Sequence, residues 1–164
     1  MKPAIITGGI GYVSQVTVTR PANTTAYTAG DVVGAAAAAI EFPNIGQAGS
    51  AISINDADLR MDVSAVPAGM TTLRLHLYNV TPPSAAADNA AWDLPSGDRA
   101  SYQGYIDLGT LVDVGGTLYV QTNGMGRKIV QLVSTSLFGY LVTNAGFTPG
   151  SADVYAIRLA AEGV

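Results

Sequence analysis

The feature that most constrains this chain is its alternation: apolar residues recur at every second position in short runs separated by turn formers. Leu73, Leu75 and Leu77 alternate with Thr72, Arg74, His76 and Tyr78. Successive side chains of a strand point to opposite faces, so the three leucines share one face and the polar set the other. Val16 and Val18 alternate with Gln15, Thr17 and Thr19, and Tyr155, Ile157 and Leu159 alternate with Val154, Ala156 and Arg158, which predicts strands near both ends. Between Ala51 and Val63 the parity changes. Ile52 and Ile54 fall on one side of the count, Leu59, Met61 and Val63 on the other, with Asn55-Asp56 at the break. A one-residue slip turns every later side chain to the wrong face, so a bulge or bend at Asn55-Asp56 is expected to reset the register. Further strands are expected at Tyr102 to Leu108, Thr117 to Gln121, Lys128 to Val133 and Leu137 to Thr143.

Turn signals lie between these runs, among them Gly30-Asp31, Pro67-Ala68-Gly69, Pro95-Ser96-Gly97-Asp98, Gly115-Gly116, Asn123-Gly124 and Pro149-Gly150. Strands at roughly 10 to 15 residue spacing, with 19 glycines, 8 prolines and no stretch of helical periodicity, predict an all-β fold. The expected architecture is a single antiparallel β-sandwich, jelly-roll-like, over residues 13–164, preceded by an extended N-terminal arm over residues 1–12. The alanine run 35–39 suits either one helical turn, on propensity, or a small-residue strand or connector. Residues 82–101 form the longest expected non-strand region. Loops beyond about 12 to 15 residues are functional or disordered more often than not. Trp92 and Leu94 need a surface to cover, so an ordered excursion is expected, containing a short helix and with another subunit as its partner.

Composition narrows the chemistry. Of the 164 residues 48% are hydrophobic and only 12% charged, with a net charge of −4. The eight Lys and Arg are scattered along the chain and form no phosphate-tracking stripe, which argues against nucleic acid as a partner. Without cysteine there is no disulfide, thiolate nucleophile or zinc-thiolate site, and a single histidine cannot build a multi-histidine metal centre. No cofactor is expected. The longest apolar run, Val32 to Ile40, is about half of what a bilayer-spanning helix needs, so no membrane partner is expected either. The N-terminus turns to Thr7 and Gly8 instead of extending an apolar core, which makes a poor export signal.

Each chemical signal has a plainer reading. Gly8-Gly9-Ile10-Gly11 lacks the Lys-Ser/Thr of a phosphate loop and reads as part of a flexible arm. Asp56, Asp58 and Asp62 lack calcium-loop spacing and read as a solvated strand face. His76 reads as exposed or interfacial, with Arg74 and Tyr78 beside it. No Gly-x-Ser-x-Gly elbow occurs. Asp88, Asp93 and Asp98 could pair as glycosidase carboxylates, but turn and cap roles are commoner for aspartate. The chain is not expected to be an enzyme.

Residues 16 to 34, Val-Thr-Val-Thr-Arg-Pro-Ala-Asn-Thr-Thr-Ala-Tyr-Thr-Ala-Gly-Asp-Val-Val-Gly, resemble the opening of small virion proteins of tailed bacteriophages. So do Leu75-His76-Leu77-Tyr78-Asn79-Val80-Thr81-Pro82, Asp88-Asn89-Ala90-Ala91-Trp92, Tyr102-Gln103-Gly104-Tyr105 and the ending Phe147 to Tyr155. This resemblance to the capsid cement, or head-decoration, family implies a β-sandwich on the outer surface of the phage head. It implies trimers that clamp neighbouring subunits of the major capsid protein, after synthesis in the host cytoplasm.

Such a role needs area, sheet edges and apolar contact. Pro3 to Ile10, carrying Ile5, Ile6 and Ile10, is expected to add a strand to a neighbour's sheet edge, the alternative being a frayed terminus. Arg20, Tyr27 and Asp31 are expected as anchors at a Thr/Tyr-rich bend, although an Arg20 to Asp31 pair within the chain explains them equally. Trp92, Tyr102 and Tyr105 complete the candidate interface. They are also the platform that a different function would use, glycan or receptor recognition by a tail-fibre or adhesin sandwich.

Overall fold

A computed structural model describes residues 10–35 and 38–164. Among these the chain forms β1 (Gly11–Thr19), β2 (Val32–Val33), β3 (Ile40–Phe42), β4 (Ala51–Met61), β5 (Thr72–Tyr78), β6 (Tyr102–Thr110), β7 (Val112–Asp113), β8 (Leu118–Gln131), β9 (Leu137–Thr143) and β10 (Val154–Gly163), with no helix. One sheet runs β1-β10-β4-β8-β7 and the other β2-β9-β5-β6, with β3 also on β9. Every pairing is antiparallel. Val32 and Val33 face Val142 and Leu141, and Ile40 to Phe42 face Gly139 to Leu137, so β2 and β3 act as one interrupted strand along β9. With that merger, and leaving aside the short β7, strands from the first and second halves of the chain alternate across both sheets. That is the strand order of a jelly roll, two Greek keys wrapped into a sandwich.

The alternation read from the sequence builds the core. Leu73, Leu75 and Leu77 of β5 pack against Ile52, Ile54 and Leu59 of β4 and Tyr155, Ile157 and Leu159 of β10, all buried. Each such side chain contributes about 1.5–3 kcal/mol of transfer free energy. The parity change in β4 is a bulge. Ala161 faces Ile54 and Ala160 faces Asp56, which leaves Asn55 unpaired and returns Ala57, Leu59 and Met61 to the interior.

Strand β8 departs from expectation. The runs expected at Thr117 to Gln121 and Lys128 to Val133 fall on the single strand Leu118–Gln131, and the Asn123-Gly124 signal is not a chain reversal. Leu118 to Asn123 face Met61 to Asp56, Lys128 to Gln131 face Ile54 to Ala51, and residues 124–127 lie opposite the single Asn55. Both halves of β8 share one partner running one way, and that pairing outweighs local turn preference. Of the alanine run 35–39, Ala35, Ala38 and Ala39 belong to no strand or helix, and residues 36 and 37 lie outside the described residues. β1 begins at Gly11, inside the stretch assigned to the arm, and Ile5 and Ile6 fall outside the described residues.

Candidate interface sites

The outer face of the second sheet is aromatic. Register places Phe138, Tyr78 and Tyr102 in one row and Tyr140, His76 and Tyr105 in the next. Tyr102 and Tyr105 are three residues apart, so regular alternation would set them on opposite faces. A bulge at Gln103, with Gly104 at φ +86°, brings both outward, because Leu77 faces Gly104 while Tyr78 faces Tyr102. A glycine inside an expected strand is the signal that could have found this pair.

Residues 79–101 fold back over this face. Val32 N donates to Ala90 O, Asn89 N to Val32 O and Trp92 N to Gly30 O, each at 2.8 Å, so the segment is fastened to the β2 edge. Under it lies a second apolar cluster of Val32, Tyr78, Tyr140 and Val142, with Ala86, Trp92, Leu94 and Tyr102 packed around it. The excursion is supported by this chain's own sheet, and it contains turns without a helix.

This covering corrects the reading of His76, which is buried. Its ring lies 3.7 Å from that of Trp92 and 5.5 Å from that of Tyr105, and Nδ1 shares a 2.9 Å hydrogen bond with Tyr102 Oη. Burial first, then the Arg74 charge, lowers its pKa to about 4, so the ring is neutral near pH 7. Burial likewise pushes the Tyr78 phenol up to about 12. Trp92 and Tyr102 are half-buried, and Tyr105, 48% exposed under the Arg74 guanidinium, remains open to a partner.

Arg20, Tyr27 and Asp31 are all buried within the protomer. Arg20 and Asp31 do not pair. Arg20 Nε donates to Tyr27 Oη at 2.9 Å, Nη1 to Gly150 O at 2.8 Å and to Asn23 O, and Nη2 lies 3.4 Å from Asp88 Oδ2. Tyr27 Oη in turn donates to Asp88 Oδ1 at 2.5 Å, which also accepts Gly34 N at 3.0 Å. Burial and the bond to Asp88 raise the Tyr27 pKa well above its ordinary range. Asp31 instead closes its own turn, accepting from Thr28 N at 2.6 Å and Thr28 Oγ1 at 3.0 Å. Asp88, read from sequence as a loop acid, is thus the missed member of a node tying the end of β1, the 20s bend, Gly34, the 79–101 segment and the Gly150 turn together.

The outer face of the first sheet is polar and internally neutralised. Register aligns Gln15, Arg158, Asp58 and Gln121 in one row across four strands. Arg158 binds Asp58 through Nε and Asp56 through Nη2 at 2.9 Å, and Arg60 adds a 3.5 Å contact to Asp58. Asp58 is therefore buried under arginines, where a solvated carboxylate was expected. Among the described residues no cluster of acids or histidine has metal-binding geometry. Of the three loop acids, Asp88 serves Arg20, whereas Asp93, exposed and accepting from Leu94 N, and Asp98, buried and accepting from Ser84 N, line one cavity.

Exposed apolar side chains concentrate at edges and outer positions. Ile10 and Val13 lie at the start of β1, Val112 and Val114 at β7, and Ile129 and Val133 on and just after β8. Among the described residues β1 pairs only with β10, so its other edge presents unpaired backbone groups.

No family model matches the chain, and no curated protein matches its sequence. Among solved structures it is similar to the capsid of Ralstonia phage GP4, at 16% identity and TM-score 0.46, covering 99% of this chain and 90% of that one. The capsid asymmetric unit of cyanophage Pam1 follows at 14% identity and TM-score 0.35, covering 99% and 91%. An endo-1,4-β-D-xylanase from Clostridium thermocellum, complexed with xylohexaose, is similar at 8% identity and TM-score 0.35, over 90% of this chain and 26% of that one. All three TM-scores lie below 0.5, and the fold rests on the strand order and register of the chain itself.

Proposed function

We propose that this protein is a virion structural component, a cement or head-decoration protein on the outer surface of a phage capsid. There it holds neighbouring major capsid protein subunits together, as a trimer. The observation that carries this reading is the outer β1 edge, which has no strand partner among the described residues. It begins at exposed Ile10 and Val13 and continues directly from the apolar segment 3–10, so backbone pairing and apolar contact are offered to another chain at one place. The sequence resemblance of residues 16 to 34, 75 to 82, 88 to 92 and 147 to 155 supports the same reading. Arg20, Tyr27 and Asp31 then shape loops, and Ile5, Ile6, Ile10 and Tyr105 are the proposed contacts. The protein is made in the host cytoplasm and works by mass action on the assembled shell. Separating purified virions into heads and tails tests this. Recovery in heads at a copy number comparable to the capsid protein is expected, whereas recovery in tails overturns the reading.

One observation favours a second reading. Trp92, Tyr102 and Tyr105 gather around His76 on one outer face, as a sugar-stacking platform would require. A glycan-binding sandwich of a tail fibre would lose its ligand on Tyr105→Ala with its fold intact. A cement protein would not bind glycans at all.

A further inference from the structure

Along its last residues β1 borders a groove of about 390 Å³, where the edge of the first sheet meets the β2 and β3 edge of the second. Val16 and Val18 form one wall and Ala35, Ala38, Ala39 and Ile40 the other, and Glu41 is its single charged lining residue. Ladder parity shows what β1 offers there. Gly163 N donates to Ile10 O and Arg20 N to Asp153 O, each at 3.1 Å, so the even-numbered residues of β1 direct their backbone groups to β10. Gly11, Val13, Gln15, Thr17 and Thr19 direct theirs outward, and among the described residues no strand meets them.

We propose that residues 1–8 of a second copy of this chain lie antiparallel along this edge and fill the groove, an inference that rests on the capsid reading's assignment of the arm to a neighbour. Every other strand pairing of the fold is antiparallel. Pro3 has no N–H, so it fits an edge strand only with its nitrogen turned away from β1. Lys2, Ala4 and Ile6 then bond to the odd-numbered residues of β1, while Pro3 and Ile5 turn their side chains inward to the apolar walls. Lys2 is the one charged residue of the segment and Glu41 the one charged residue of the groove, and their charges are opposite. The chain's own arm is the poorer occupant. It leaves β1 at the Gly11 end, about 26 Å from Thr19 at 3.3 Å per residue, and Ile10 still lies in the ladder with β10. A reversal at Gly8-Gly9 would set Thr7 opposite Ile10, whose carbonyl is already directed at Gly163 N. A copy that gives one arm and receives another makes a head-to-tail contact, which closes into a ring such as a trimer.

The chain has no cysteine, so introduced ones report contact without a background. Co-expressing the Pro3→Cys chain with the Ala38→Cys chain is expected to give a disulfide between the two, seen as a mixed dimer on non-reducing gels. Adding Glu41→Lys to the Ala38→Cys chain should remove most of that product, and Lys2→Glu on the Pro3→Cys chain should restore it. Absence of the mixed dimer, a doubly substituted chain that links only within itself, or a product untouched by the charge reversals would each overturn the inference. Sedimentation with heads separates its failure from that of the capsid reading. Chains that form no link yet bind heads overturn the inference and leave that reading standing, whereas linked copies that do not bind heads support the inference and overturn that reading.

Discussion

A buried cation persists only where protein groups replace the water it has lost, and Arg20 meets that condition with a phenol, two carbonyls and a carboxylate. Removing one partner of such a set leaves an uncompensated charge. Asp88→Ala is therefore expected to destabilise the fold by about 3–5 kcal/mol, read as a lower midpoint in urea unfolding. A loss below about 1 kcal/mol, the worth of a surface pair, would contradict the burial of the node. His76 gives the second residue-scale prediction. Its pKa in the fold is about 4 against an ordinary 6.5, so between those pH values the unfolded chain takes up a proton that the folded chain does not. Stability is then full above pH 6.5 and falls as pH drops towards 4, by at most about 1.4 kcal/mol per unit. Between pH 7 and 4.5 wild type should lose unfolding free energy relative to His76→Phe as pH falls, while parallel curves would refute the assignment. Neither environment was legible in sequence. Arg20 and Asp88 meet across 68 residues, and His76 sits at a position that alternation assigns to solvent. What covers it is a segment without periodicity.

At the scale of elements, the irregularities are as specific as the strands. Asn55 was legible because the parity of apolar residues changes across it, and parity is a local property. The Gln103-Gly104 bulge and the long bulge of β8 were not, since each is defined by what the partner strand does opposite it. Deleting Asn55 removes the register reset, forces either Ile52 and Ile54 or Ala57, Leu59 and Met61 out of the core, and should abolish cooperative unfolding. A deletion variant with wild-type stability would show that the bulge is dispensable. Gly139, in the middle of β9, is a sharper probe. A Cβ there would lie 2.7 Å from His76 O and 3.1 Å from Leu75 Cδ1. Gly139→Ala is expected to cost about 1–3 kcal/mol through overpacking, measured by thermal unfolding. No loss would mean that β5 and β9 are less closely apposed.

For the whole molecule, a chain 48% hydrophobic and 12% charged first suggests a large surface awaiting a partner. The jelly roll accounts for much of that surplus internally, with one core between the sheets and a second beneath residues 79–101. Sandwich class and both terminal strands were legible from alternation and turn spacing. The closing of the long segment onto its own sheet was not, because apolar loop residues read alike whether they cover their own sheet or a neighbour's. What remains open to a partner is narrower: the β1 edge with Ile10 and Val13, and scattered outer positions such as Val112 and Ile129. Deleting residues 1–9, which leaves the Gly163 N to Ile10 O hydrogen bond in place, is expected to weaken shell binding, as judged by sedimentation with heads. Undiminished binding would remove strand addition from the account. The most direct test adds the purified protein to heads that lack it and follows the temperature at which the shells rupture. The proposal predicts a rise that saturates at a fixed ratio of bound protein to capsid subunit, whereas unchanged rupture at full saturation, or no binding to heads, would contradict it.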